Sequence, residues 1–273
     1  MISVTDLTSY MYCSRKLYFT KVLRIREKPK EKTIKGTIKH QVYDLVGREN
    51  KNIILDFTAK ESLEELEMRF RRVYYKTLMF CIQRAKSDLE AQKLKMLELY
   101  QELWPFFLEE AKEQSSFFFQ FAQEKNCYGE QLWLALPKAV SELRIVSENL
   151  RLVGVVDKLE LEKDFTPVEI KTGKAPKDGV WKDNMVQLGA YMLLLSEHYG
   201  KEIKEGFIDY KAINERRKIT MNPFLKDEII ALIDRVHILL TQKELPEKTK
   251  DEWKCKICGI REECFKEEKP KAL

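Results

Sequence analysis

The apolar positions fall into two regimes that meet near residue 130. Before that point they recur at helical spacing, and after it they crowd into short β-branched runs. In the first regime, Thr5 to Phe19 predicts a short helix, with Ser3 or Thr5 as cap and Leu7, Tyr10, Met11, Leu17 and Tyr18 as its apolar positions. A basic, proline-containing loop follows around Lys28-Pro29-Lys30. Thr33 to Val46 predicts a second helix with Ile34, Ile38, Val42 and Leu45 on one stripe and His40 off it. Residues 58 to 125 contain no glycine and a single proline, Pro105, and their leucines and aromatics predict an almost wholly helical insertion. The run Phe117-Phe118-Phe119 reads as packing for that insertion, rather than as a surface on which bases stack.

In the second regime, strands are expected over Ala139 to Val146, Leu150 to Leu161 and Pro167 to Lys171. Turns at Ser147-Glu148-Asn149 and Glu162-Lys163-Asp164 separate them. A helix over Asn184 to Tyr199 comes next. A hairpin of Glu205 to Ile213 and Arg217 to Met221 then turns around Asn214-Glu215. A helix over Pro223 to Leu240 and a charged tail, Lys243 to Trp253, close the pattern. This order predicts an α/β fold, a mixed sheet flanked by helices with a large helical insertion. The expected division is 1–50, N-terminal helices; 51–130, the insertion; 131–242, the core; and 243–273, a C-terminal cysteine segment.

Composition changes this picture little, and charge placement changes it more. Of 273 residues, 44% are hydrophobic and 34% charged, ordinary for a globular chain. No apolar run approaches the ~18 residues that span a bilayer, and the first residues lack a signal-peptide core, so the expectation is a cytoplasmic protein without membrane contact. The net charge is +5, yet residues 1 to 35 hold nine Lys/Arg against three Asp/Glu, a balance of +6, leaving the remainder near −1. A basic arm on a neutral body suits a polyanion, and equally reads as a solvated lysine-rich loop.

Candidate chemistry begins in Leu152-Val153-Gly154-Val155-Val156-Asp157. A carboxylate inside an apolar strand demands a partner or a metal. In Val168-Glu169-Ile170-Lys171, period-2 alternation puts Glu169 and Lys171 on one side, their Cα atoms about 7 Å apart. If the two strands pair, three charged groups converge. Two carboxylates suit Mg²⁺ or Mn²⁺, and a lysine can orient water or neutralise charge on a phosphorane, the set that phosphodiester hydrolysis needs. Solvent-facing edge charges are the plainer alternative. Gln187 and Tyr191, at i and i+4, share one helix face.

Cys255, Cys258 and Cys264 form C-x2-C-x5-C, and Cys13 stands alone at the other end of the chain. Clustered thiols in a reducing compartment point to a metal, and their spacing admits both zinc and an iron–sulfur cluster. Cys81 and Cys127 fit neither pattern and read as packing residues.

Gly154-x-x-Asp157, Glu169-x-Lys171 and Gln187-x-x-x-Tyr191, in this order, resemble the RecB-like branch of the PD-(D/E)XK nucleases. With Cys13 and the C-terminal cysteines enclosing them, the chain resembles CRISPR-associated exonucleases of the Cas-four type. The resemblance implies a restriction-endonuclease-like fold and a [4Fe–4S] cluster on Cys13, Cys255, Cys258 and Cys264. It implies Mg²⁺ or Mn²⁺ on His40, Asp157, Glu169 and the Ile170 carbonyl, with Lys171, Gln187 and Tyr191 completing the catalytic set. It further implies a nuclease trimming single-stranded or overhanging prespacer ends for a CRISPR integrase. Candidate phosphate contacts are Arg15, Lys16, Lys21, Arg24, Arg26 and Lys174. Two alternatives stand beside it: a subunit recognising DNA ends or a protospacer-adjacent motif without cleaving, and a RecB-like repair nuclease. No G-x-x-x-x-G-K-[ST] loop is present, so any helicase motor would be a separate partner.

Overall fold

Ser3 decides where the chain begins to coil. Its hydroxyl accepts from the Asp6 N–H at 3.2 Å while the Asp6 carboxylate accepts from the Ser3 N–H at 2.8 Å, a reciprocal cap. In the computed structural model, which describes residues 1–27, 30–161 and 164–266, β1 (Ile2–Ser3) therefore runs directly into α1 (Val4–Tyr12), and α2 (Ser14–Lys21) follows. The single helix predicted over Thr5 to Phe19 is thus two. Cys13 breaks it with extended backbone, φ −168° and ψ 112°, and its Sγ accepts from the Lys16 N–H at 3.4 Å as the cap of α2.

The chain forms two units, one joining Met1–Lys28 to Ala139–Leu273 and the other Pro29–Lys138. The second is all helix: α3 (Glu31–Leu55), α4 (Leu63–Arg84), α5 (Lys86–Ala91), α6 (Met96–Lys125) and α7 (Gly129–Ala135). Its core gathers Ile38, Val42, Leu66, Phe70, Tyr74, Leu78 and Phe107. α6 runs straight through Pro105. The buried face Leu99, Leu103, Phe107 and Ala111 offsets the backbone bond the proline lacks. Phe118 is buried and stacks on Phe70 at 5.6 Å, whereas Phe117 is half exposed, so the phenylalanine run is split between core and surface. Cys81 is buried, and burial pushes its thiol up to about 11. α7 has no counterpart in the sequence reading, because seven residues are too few to display a period. His40 lies on α3, partly buried.

In the first unit come β2 (Ala139–Ser147), β3 (Leu152–Glu160), β4 (Thr166–Lys171), α8 (Lys182–Tyr199), β5 (Glu205–Tyr210), β6 (Glu215–Thr220), α9 (Pro223–Gln242), α10 (Glu252–Lys256) and α11 (Arg261–Lys266). Of the expected turns, Glu162-Lys163 lies outside the described residues, as does Lys28-Pro29 of the basic loop. β3 is the organising strand. β2 pairs antiparallel along its length, β1 pairs parallel at Leu152 and Val153, and β4 pairs antiparallel over Lys158 to Glu160. β4 continues parallel to β5, and β5 antiparallel to β6. The mixed sheet flanked by helices that the element order predicts is the architecture found. Among the described residues no helix is long and apolar enough to cross a membrane.

α8 is buried at almost every turn, including Gln187 and Tyr191. It approaches β3 at Gly154, where a Cβ would lie 2.8 Å from both Tyr191 Cε1 and Leu194 Cδ1. Overpacking of this kind costs about 1–3 kcal/mol. Gly154→Ala is therefore expected to lower the urea midpoint accordingly, and an unchanged midpoint would mean that α8 does not sit this close to the strand.

Candidate active site

The site arises where two paired strands part. The β3–β4 ladder ends at Lys158 and Val168. One step further, the Ile170 N–H donates not to a β3 carbonyl but to Asp157 Oδ2, at 2.8 Å. β3 changes its own rhythm at the same place. Its buried positions run Leu152, Gly154, Val156 and then Leu159, so the two-residue alternation slips at Asp157-Lys158. On the other flank, β2 pairs Ser141 with Lys158 and Leu143 with Val156, which puts Glu142 across from Asp157. Glu142 has φ 52°, the left-handed region that costs a residue with a Cβ.

Glu169 is 2% exposed, and its charge is met from α8 and from its own strand. Lys171 Nζ donates to Glu169 Oε1 at 2.8 Å and to Gln187 Oε1 at 2.8 Å. Gln187 Nε2 donates to Glu169 Oε1 at 2.7 Å and to Tyr191 Oη at 3.2 Å. Both ends of the Gln187 amide are thereby committed, which fixes its orientation and that of the lysine. Asp157, Glu169, Lys171, Gln187 and Tyr191 are thus brought into one place, while His40 belongs to the helical unit.

Burial is the main influence on both ends of this network. It pushes the Asp157 carboxyl up to about 6, against the bond from Ile170 and the charge of Lys171, with Glu142 adding to the rise. Burial and then the charge of Glu169 raise the Tyr191 hydroxyl far above its ordinary value, so it stays protonated. Sequence reasoning missed Glu142, because Ser141-Glu142-Leu143-Arg144 looks like any half-exposed strand. Only its left-handed backbone and its register mark it.

The donor set fits a hard divalent cation. Two carboxylates stand beside the Ile170 backbone, and Asp157 is ionised only at a desolvation cost that such an ion would remove. Among the described residues no group of three or more His, Cys, Asp or Glu side chains stands at metal-ligating distance, so the side chains offer a pair rather than a cage.

The four predicted cluster cysteines, Cys13, Cys255, Cys258 and Cys264, all line a single pocket formed by the start of α2 and the α10–α11 segment. Arg15 Nε donates to Cys264 Sγ at 3.2 Å, and the Lys16 N–H to Cys13 Sγ. Burial pushes the Cys255 and Cys258 thiols up, and among the described residues no three of these sulfurs stand at metal-ligating distance. What fits a thiolate-held metal group is the donor type and the shared pocket. Protein bonds also close this junction: Arg15 Nη1 to the Pro246 carbonyl at 2.8 Å, Tyr12 Oη to the Lys254 carbonyl at 3.2 Å, and Tyr18 Oη to the Lys243 carbonyl at 2.9 Å.

The expected phosphate contacts divide. Arg15 is buried and spends its guanidinium on Cys264 and Pro246, so it is a tie between chain ends rather than a DNA contact. Lys16 pairs with Glu27 at 2.6 Å and Lys21 with Asp6 at 2.9 Å. Arg24, Arg26 and Lys174 are exposed.

A family model described as the PD-(D/E)XK nuclease superfamily matches residues 1–265. A CRISPR-associated exonuclease Cas4/endonuclease Cas1 fusion from Leptospira interrogans is 31% identical over 136 residues, 47% of this chain and 25% of that one. A fusion of the same description from Myxococcus xanthus is 28% identical over 170 residues, 60% of this chain and 29% of that one. A DNA replication ATP-dependent helicase/nuclease from Arabidopsis thaliana is 24% identical over 127 residues, 44% of this chain and 9% of that one. In each case the matched part is less than a third of the relative's length.

Proposed function

The chain belongs to the PD-(D/E)XK nuclease superfamily, and from that premise we propose that it is a Mg²⁺- or Mn²⁺-dependent deoxyribonuclease trimming single-stranded or overhanging DNA ends. The observation that carries this reading is the network at the parting of β3 and β4, which brings Asp157, Glu169, Lys171 and Gln187 together. Asp157, Glu169 and the Ile170 carbonyl would hold the ion. A bound divalent cation supplies a polarised phosphate and a more acidic water. The protein supplies the rest. Lys171 presents an ammonium whose direction is set by Glu169 and Gln187, so it meets charge on the phosphorane without reorganising. Gln187 acts through Lys171 and Glu169 as a positioning residue, and protonated Tyr191 completes that support.

A [4Fe–4S] cluster on Cys13, Cys255, Cys258 and Cys264 is part of the same reading, supported by the pocket they share. The role in prespacer processing, with integrase subunits as partners, is supported by relatives in which an exonuclease and the endonuclease form one chain.

The test is cleavage of 5′- and 3′-labelled single strands, overhangs and blunt duplexes, in EDTA and after adding Mn²⁺. Shortening of strands and overhangs only with Mn²⁺ is the expected result. Binding in EDTA without any cleavage on adding Mn²⁺ would instead support a recognition subunit.

A further inference from the structure

The loop between β4 and α8 leaves the site directly after Lys171 and returns to it on the helix of Gln187. It carries Gly173, Lys174, Lys177 and Gly179, and it ends at Trp181, which caps α8 and is 50% exposed. Ala175 and Val180 of this loop pack against the core, and the residues between them are held by one side chain from the neighbouring hairpin. Arg217 of β6 donates from Nη1 to the Pro176 carbonyl at 2.9 Å and the Gly179 carbonyl at 2.6 Å, and from Nη2 to the Lys177 carbonyl at 3.5 Å. Its Nε and Nη2 also donate to Glu215 Oε2 at 2.9 and 2.7 Å. A guanidinium has five N–H groups, and these bonds use all five. The fork lies over the Tyr210 ring at 5.2 Å and is only 14% exposed. Tyr210 in turn accepts from Asn184 Nδ2 of α8 at 3.1 Å, and the Lys211 N–H donates to the Lys171 carbonyl at 2.9 Å. The β5–β6 hairpin therefore ties down both ends of the loop and its middle.

We propose that Arg217 is a positioning residue that holds the 172–181 loop as a grip for the DNA strand beside the site, with Lys174 and Lys177 meeting phosphates and Trp181 offering a face to a base. Arg217 has no N–H left for a phosphate, so its effect on substrate passes through the loop. The proposal rests on the nuclease reading for its ligand, and the loop's exposed groups suit a strand: cations for the backbone and an indole for stacking. A lysine at 217 keeps the charge but has no planar fork to span three carbonyls.

The experiment compares wild type, Arg217→Ala and Arg217→Lys on a labelled single-stranded oligonucleotide, alongside tryptic cleavage of the folded protein at Lys174 and Lys177. Both variants are expected to raise KM by about tenfold, with kcat nearly unchanged, and to speed tryptic cutting of the loop. Arg217→Lys carries the test if Arg217→Ala does not fold. Wild-type KM and trypsin resistance in Arg217→Lys would overturn the proposal, since charge alone would then suffice. A fall in kcat at unchanged KM would overturn it too. If wild type binds the strand without cutting it, the nuclease reading fails, and Kd then decides the loop's role in place of KM.

Discussion

Asp157→Asn will abolish DNA cleavage and at the same time stabilise the metal-free protein at neutral pH. The two effects have one source. In the fold, burial holds the Asp157 carboxyl at about 6, above its ordinary 3.8. The folded state therefore binds this proton more tightly than the unfolded state does. The stability this residue allows is fully present below pH 4 and is lost as pH rises from about 4 through about 6. Two pKa units correspond to about 3 kcal/mol, an upper figure because the side chain is only partly buried. Asparagine keeps an oxygen for the Ile170 N–H and carries no charge, so it escapes that loss. Without a carboxylate to share a cation with Glu169, cleavage should fall by at least about 10³-fold. Metal should act in the opposite sense to the mutation. Mn²⁺ is expected to raise the wild-type melting temperature more at pH 7.5 than at pH 5, and to leave Asp157→Asn nearly unmoved. An apo-protein variant less stable than wild type at pH 7.5 would remove the electrostatic account of this residue.

The second large effect is expected at the cysteine pocket. Protein purified without oxygen should be brown, with absorbance near ~400 nm and four irons per chain, as the proposed cluster requires. Cys264→Ser or Cys13→Ser should bleach it and lower the melting temperature. A cross-link closing most of the chain stabilises by roughly 3–5 kcal/mol in the chain-entropy account. The fall should nonetheless stop short of unfolding. Arg15 to Pro246, Tyr12 to Lys254 and Tyr18 to Lys243 join the same chain ends without the cluster. A colourless protein holding one zinc per chain would assign the pocket to zinc instead.

How much of this could be read from the sequence follows from the range of the forces involved. Asp157, Glu169 and Lys171 were legible because strand alternation is local and a carboxylate in an apolar run is conspicuous. The i, i+4 spacing of Gln187 and Tyr191 puts them on one helix face, but by itself it reads as ordinary helix surface, and only the family pattern singled the pair out. The slip in β3 at Asp157 was not legible, since it depends on β4 leaving and on the left-handed backbone of Glu142 across the ladder. The break at Cys13 was hidden for a similar reason. The apolar residues on both sides continue a helical stripe, and only the thiol's capping bond interrupts it. Arg15 looked like a surface cation in a basic arm, yet its partners lie at the opposite end of the chain. Arg217 stood in a run of three cations, Arg216-Arg217-Lys218, and nothing local reports the three loop carbonyls it holds.

The most direct test of the central claim separates holding the ion from using it. In Lys171→Ala, Mn²⁺ binding followed by calorimetry should remain near the wild-type value, because the carboxylates of Asp157 and Glu169 are intact. Cleavage of a labelled single strand by the same preparation should fall by about 10²–10³-fold. A Lys171→Ala protein that cuts at the wild-type rate would contradict the assignment of this constellation as the hydrolytic site.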